Sequence, residues 1–168
     1  MLKTAVESKF AGRKVIIGRN ANLSVAQPHH IELGRGDCQN RSICERGCSF
    51  GAMHSSLSSS LPAARKTGNL TLVTDAIVHS IVQDPKTGKA TGVKVIDQNT
   101  KAGKTYEAKL IFLNASTIPS AQILLASANE KNPNGLANGS DQVGRNLMDH
   151  MYALSTAGIL PNGPDTYY

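Results

Sequence analysis

Between Leu70 and Leu113 the sequence runs through three apolar-rich stretches separated by two polar turns, a pattern that folds most simply as an antiparallel meander. From Leu70 to Gln83 the residues alternate, Ile77, His79 and Ile81 falling on one face and Ala76, Val78 and Val82 on the other. Asp84-Pro85-Lys86-Thr87-Gly88 then makes a turn, because Pro presets φ and Gly supplies the positive φ at the exit. Ala90 to Asp97 returns as a second strand, and the polar stretch Gln98 to Lys104 turns the chain again. The third strand, Thr105 to Leu113, begins by alternating and ends as the continuous apolar run Leu110-Ile111-Phe112-Leu113. Such an ending predicts burial on both faces of a larger sheet. A helix follows, with Ser116 or Thr117 as cap, Pro119 in its first turn, and Ala121, Leu124, Leu125 and Ala128 as its apolar stripe.

The flanking sequence is less regular. Lys14-Val15-Ile16-Ile17-Gly18 reads as a short buried strand, whereas residues 20–50 show almost no periodicity. An irregular stretch of that length is usually functional or held by a ligand. Leu57, Leu61 and Ala64 predict a helix over His54–Ala64, although the Ser run 58–60 before Pro62 also fits a break and a new start. From Asn132 onward the chain is Gly, Asn and Pro-rich and reads as loop, with Ser155–Leu160 at most a short strand. There is no internal repeat. The fold class is α/β overall, and α+β for this piece taken alone.

Length and composition narrow the field. A chain of 168 residues fits one domain, or the halves of two interleaved ones. With no Trp and only 4% aromatic residues, its core must be built from Ile, Leu, Val and Ala. The net charge is +6, but the Lys and Arg are scattered, with no basic run and no aromatic interleaving, so a solvated surface is preferred to a nucleic-acid partner. No apolar run approaches the ~20 residues of a membrane span. Met1 to Gly12 has no apolar core of a signal peptide, and the compartment, cytoplasm or periplasm, stays open.

Cys38, Cys44 and Cys48 form the sharpest constellation, spaced C-x5-C-x3-C in a Gly-rich loop. Thiolates are soft ligands suited to iron–sulfur clusters or zinc. Three of them suit a three-iron cluster; zinc would need a fourth ligand such as His29, His30 or His54. A disulfide with one free thiol, or three buried thiols, fits the spacing as well. His79 reads as packed on a strand face, and His150 as held by Asp149 or capping a turn. No G-x-G-x-x-G, G-x-S-x-G or phosphate-loop motif occurs, and Gly34-Arg35-Gly36 is too short to count.

A chain of short motifs carries a resemblance. Cys44-Glu45-Arg46-Gly47-Cys48-Ser49-Phe50-Gly51-Ala52 and Leu61-Pro62-Ala63-Ala64 come first, then Thr67-Gly68-Asn69-Leu70-Thr71-Leu72, Ala76-Ile77-Val78 and Ala90-Thr91-Gly92-Val93. Ile111-Phe112-Leu113-Asn114-Ala115-Ser116, Ser120-Ala121-Gln122-Ile123-Leu124-Leu125, Gly135-Leu136-Ala137-Asn138 and Val143-Gly144-Arg145-Asn146-Leu147-Met148-Asp149-His150 follow. In this order and spacing, over roughly residues 35–150, the sequence resembles the glucose-methanol-choline (GMC) oxidoreductases.

The resemblance implies a parent protein that binds FAD in a doubly wound α/β domain and oxidises a CH–OH group by hydride transfer to the flavin. It implies that Val78 touches the adenine through its backbone and that the turn holding Ala115 and Ser116 lies near the dinucleotide. Ser116 departs from the Gly usual there, and a Cβ limits close approach. The family's Gly-rich pyrophosphate turn and its C-terminal catalytic His have no counterpart here, so no catalytic residue is assigned and the isolated chain is expected to be inactive. The cysteine spacing is similar to that of members acting on sugars and sugar acids, which carry a [3Fe-4S] cluster and pass electrons to a cytochrome. Such a cluster would split a two-electron hydride into single-electron steps.

The resulting expectation is a piece of a GMC-type FAD dehydrogenase acting on a sugar, sugar acid or alcohol. Residues 1–68 form a substrate-side and Cys-loop segment, 69–130 part of the FAD-binding domain, and 131–168 the start of a further substrate-side segment. A stand-alone iron–sulfur or zinc module and a non-catalytic domain with buried thiols are the rival readings. An open sheet edge predicts dimerisation or aggregation.

Overall fold

The computed structural model describes residues 2–16, 18, 20–41 and 44–150, and these divide between residues 71 and 72 into two compact units. The expected Ser155–Leu160 strand lies outside the described residues.

The first unit is mostly irregular chain with short helices. Helix α1 (Leu2–Lys9) opens it, a helix that the sequence reading did not anticipate. No strand forms over the described residues of the 14–18 segment, and Ile16 is 86% exposed. A strand is stable only when a neighbour takes its hydrogen bonds, and none lies beside this one among the described residues. Helix α2 (Pro28–Ile31) carries Pro in its first turn, where the missing N–H is no loss. Cys44–Arg46 is a single 3-10 turn.

Both sequence readings of the 54–64 region are partly met. Ser56–Ser60 winds as a wide π turn, closed by Leu61 N–H donating to Ser56 O, and it runs directly into α3 (Leu61–Lys66). Pro62 has no N–H to return to the preceding turn, which accounts for a widened turn just before it. Ser55 caps the start by accepting from Ser58 N–H at 3.1 Å.

Three extended segments are laced together and fix the loop that bears the cysteines. Leu23 N–H donates to Ala52 O, Cys38 N–H to Leu23 O, Gly36 N–H to Phe50 O, and His54 N–H to Ala21 O. Ala52 is fully buried at their centre.

The second unit contains the meander. Strands β1 (Ala76–Gln83), β2 (Ala90–Asp97) and β3 (Gly103–Glu107) pair antiparallel in the order β1-β2-β3. The first turn follows the sequence logic: Asp84 accepts from Lys86 N–H and Thr87 Oγ1, and Gly88 takes φ +71. In the second turn Asp97 accepts from Asn99 N–H, Thr100 N–H and Thr100 Oγ1, and Lys101 takes φ +62.

The alternation expected in β1 is interrupted. Val78 faces Val95 and Ser80 faces Lys94, so His79 is the extra residue of a bulge and is exposed. The bulge turns Ser80, not His79, into the sheet's buried position, where its hydroxyl meets His79 Nδ1 at 3.0 Å.

The third strand ends earlier than the sequence suggested. A bend at Lys109-Leu110 carries the chain off the meander, and Leu110–Leu113 runs on without a strand partner among the described residues. Leu110 is 69% and Phe112 77% exposed, so the expected burial on both faces is not reached within this unit. Helix α4 (Thr117–Ala126) follows, with Pro119 in its first turn. Its buried side is Ile123 with Ser127 just beyond, rather than the expected stripe, and Leu125 and Ala128 are exposed. The cause is visible at β1: Ser127 Oγ accepts Ile81 N–H at 2.8 Å and donates to Ile123 O, fixing this face of the helix to the sheet. The loop beyond docks back through Leu136 N–H on Leu124 O, and buried Asn138 braces it by accepting from Val143 N–H.

Candidate functional site

All three cysteines line one small cavity of about 20 Å³ together with Arg41 and Phe50, and all three are free thiols, half-buried. Two arginines shape the loop around them. Arg41 reaches across it, donating to Ser49 Oγ at 2.7 Å and standing 4.6 Å from the Phe50 ring centre. Arg35 is 7% exposed and donates from Nε to Gly51 O at 2.8 Å and from Nη2 to Ala52 O at 3.2 Å.

Cys48 differs from the other two in its electrostatics. The Met53 amide foremost, with those of Phe50, Ala52 and Gly51, holds its thiol below the ordinary value, against an opposing effect of burial. Of these amides, Gly51 N–H donates to the Cys48 carbonyl at 3.0 Å. Gly47 and Gly51 allow this path, with φ +101 and +61.

The donor set has the chemistry of a soft-metal site: three uncrosslinked thiols with no carboxylate lining their cavity. The geometry is not that of a closed one. Among the described residues no three His, Cys, Asp or Glu side chains come together into a metal-holding group. The cavity is of the order of a single water, which occupies roughly 10–15 Å³ on this measure. Holding a metal therefore requires the loop to tighten or open around it, a coupling of binding to folding common in metal sites.

In the other unit, Val78 and Ala115 line a single cavity of about 520 Å³ with Val93, Leu113 and Ile123. The walls are apolar, and the meander forms one side while the chain leading to α4 forms the other. Ser116 stands at the exit, at the N-cap position of α4, with φ +72 and ψ +174. This is a region that only Gly normally occupies. Its side chain makes no capping hydrogen bond, so the hydroxyl is not what holds it there.

The histidines do not gather. His30 Nδ1 accepts Gln27 N–H at the start of α2, and its pKa is lowered, chiefly by desolvation and then by His29 and Arg35. His54 Nδ1 meets Ser59 Oγ at 2.9 Å, but that hydroxyl already donates to Ser55 O, which makes the pair a helix-start brace. His150 is exposed beside Asp149.

Comparison with known proteins gives the frame for both cavities. Residues 17–152 match the family model described as GMC oxidoreductase. The chain belongs to the GMC oxidoreductase family. It is 32% identical over 117 residues to the fructose dehydrogenase large subunit of Gluconobacter japonicus, covering 70% of this chain and 21% of that protein. It is 35% identical over 100 residues to the 2-methyl-1,2-propanediol dehydrogenase of Mycolicibacterium austroafricanum, covering 58% of this chain and 18% of the relative. The chain thus spans about a fifth of the length of these relatives.

GMC membership implies FAD, and the second cavity is compatible with part of that cofactor. Its walls are mainly apolar, and Ser116 keeps a glycine-like backbone although it carries a Cβ. Arg35, Arg41 and Phe50 were not singled out as functional by the sequence reading. The one available signal was the placement of Arg35 between Gly34 and Gly36, residues that leave room for its side chain to fold inward.

No helix among the described residues is long and apolar enough to cross a membrane.

Proposed function

We propose that the chain is part of an FAD-dependent dehydrogenase that oxidises a CH–OH group of a sugar, sugar acid or related alcohol. In this reading residues 69–130 belong to the FAD-binding domain, and Val78, Ala115 and Ser116 lie against the dinucleotide. The observation that carries it is the backbone of Ser116, which adopts a glycine conformation beside an apolar cavity at the start of α4. A strained conformation that no side-chain capping bond holds, with only the Ser116 carbonyl taken up by Ser120 N–H, is the kind of feature kept for a ligand. When bound, the flavin supplies the hydride acceptor. Val78 and Ala115 provide apolar wall, and the Cβ of Ser116 sets how closely the cofactor approaches the backbone at 115–116.

The finer reading assigns Cys38, Cys44 and Cys48 to a [3Fe-4S] cluster that serves as a one-electron carrier to an external cytochrome. It is supported by three free thiols on one cavity and by the amides that favour negative charge on Cys48. Cys44 and Cys48 are set by the 3-10 turn and the turn after it, and Cys38 by its N–H on Leu23 O.

Anaerobic mixing of the purified parent protein with a panel of sugars, sugar acids and diols tests the reading. Bleaching of the flavin absorbance by at least one CH–OH donor is expected. Bound flavin that no member of the panel reduces would contradict the dehydrogenase assignment. Iron and acid-labile sulfide near stoichiometry support the cluster, and their absence from protein purified without oxygen removes it.

A further inference from the structure

We propose that Arg41 is the positioning residue of the three-cysteine site, a strap that closes the neck of the loop bearing Cys44 and so keeps the three thiols on one cavity. The path of the chain shows what needs closing. Cys38 is anchored through its N–H on Leu23 O at 2.9 Å, and the far arm is anchored at Phe50, whose carbonyl accepts Gly36 N–H at 2.7 Å. Cys44 belongs to neither anchor, opening the short 3-10 turn Cys44–Arg46 between the two arms. Arg41 joins those arms. Its Nη2 donates to Ser49 Oγ at 2.7 Å, and its guanidinium stands over the Phe50 ring, 4.6 Å from the centre. Both partners lie directly after Cys48. Among the described residues no other side chain of 38–41 hydrogen-bonds to 48–50, and no carboxylate pairs with Arg41.

An arginine is suited to this strap. Its planar group can stack on a ring while its edge donates, whereas a lysine ammonium is a point charge without that fixed geometry. Arg41 and Phe50 also line the thiols' cavity, whose described lining includes no acidic side chain. The strap leaves the trio gathered but open, since no closed donor group forms among the described residues. Its effect is therefore on the closing step. A loop already held at its neck loses less conformational freedom when a bound centre draws the three sulfurs in, so that centre binds more tightly. The class that fits is thiophilic and three-coordinate, satisfied by sulfur alone. Trivalent arsenic is such a probe: arsenite condenses with three thiols, forming three As–S bonds and releasing three waters with no change of oxidation state.

This role for Arg41 rests on the reading of the trio as one soft-metal site, and the test separates the two. The full chain, reduced and metal-free, is titrated with arsenite at neutral pH, and the thiols left free are counted with a chromogenic disulfide. One equivalent is expected to protect all three thiols of the unaltered chain. Arg41→Met should weaken arsenite binding about tenfold, the loss expected for one charged hydrogen bond and one cation–π contact. Arg41→Lys should resemble Arg41→Met. Ser49→Ala should weaken binding in the unaltered chain but not further in Arg41→Met, where the strap is already gone. Iodoacetamide needs one thiol at a time, so its rate at each cysteine should change by less than about twofold in Arg41→Lys, which keeps the charge beside the thiols.

Full arsenite binding by Arg41→Lys would overturn the proposal in favour of simple charge. Additive losses from Ser49→Ala and Arg41→Met would also overturn it, because the two would then act apart. Iodoacetamide rates in Arg41→Lys rising together to those of the guanidinium-unfolded chain would show a merely structural role and overturn it too. Failure of the unaltered chain to protect three thiols removes the trio as a single site, and the strap with it. Three protected thiols with binding unchanged in Arg41→Met keep the site and remove only the strap.

Discussion

Ser116 shows how much a single backbone position can disclose. Its φ of +72 with ψ +174 costs a non-glycine residue about 1–3 kcal/mol, and no capping bond of its own side chain offsets this. Glycine would relieve the strain but adds about 0.5–1 kcal/mol of unfolded-state entropy. Ser116→Gly is therefore expected to stabilise the protein by about 1 kcal/mol in urea denaturation, whereas Ser116→Ala should gain nothing. Equal effects of the two would mean that the strain is not real. Ser127 is a second sensitive point: its hydroxyl satisfies Ile81 N–H across from α4. Ser127→Ala strands that donor in a buried place and should destabilise by about 1–3 kcal/mol, seen as a lower urea midpoint. Gly92 is a third, because a Cβ there would lie 2.5 Å from Tyr106 O on the neighbouring strand. Gly92→Ala should destabilise the meander by about 1–3 kcal/mol, measured in the same way. Of these positions, only Ser116 could be suspected from the sequence, through its departure from the family's usual Gly. The importance of Ser127 and Gly92 depends on which strand and helix face they meet, which a local pattern does not encode.

At the scale of elements, the turns were legible and the faces were not. The Asp84 and Asp97 turns follow from residue types that hydrogen-bond their own backbone, a property carried wholly by adjacent residues. Strand β1 ends at Gln83 as expected but starts at Ala76 rather than Leu70, and the bulge at His79 shifted which side chains are buried. The stripe of α4 was misjudged for a related reason, since apolarity alone does not reveal that Ser127 anchors the helix to β1. The turns also carry a pH dependence. Lys86 N–H foremost, with Thr87 Oγ1, lowers the pKa of Asp84, and Thr100 N–H foremost lowers that of Asp97. Both carboxyls titrate lower folded than unfolded, so their stabilisation is present above the ordinary Asp value of 3.8 and is lost as pH falls through the depressed folded value. Urea midpoints taken between neutral and strongly acid pH should fall in that acid window, and Asp97→Asn should flatten part of the fall. A slope unchanged in Asp97→Asn would remove this carboxyl from the account.

For the molecule as a whole, the contrast lies between a small buried core and a large apolar surface. In the second unit Val95, Ile123 and Leu136 are the buried apolar side chains among the described residues, while Leu110, Phe112, Leu147 and Met148 are all more than two-thirds exposed. The open edge strand β3 is short and carries Lys104 and Glu107, features that discourage strand pairing. Self-association of the 168-residue chain is therefore expected through Leu110 and Phe112 more than through that edge. Light scattering should report oligomers that the double change Leu110→Ser, Phe112→Ser reduces; a monodisperse monomer before substitution would contradict this. The family was legible because many short motifs keep their order over most of the chain. The cysteine trio was visible as a spacing, but its two arginines were not, since each acts on backbone carbonyls or a ring far along the loop. The most direct test of the central claim is the visible absorption spectrum of the parent protein purified without oxygen. The account predicts flavin bands riding on a broad iron–sulfur shoulder; flavin bands without the shoulder would reduce the cysteines to structure, and a folded, colourless protein would contradict the assignment itself.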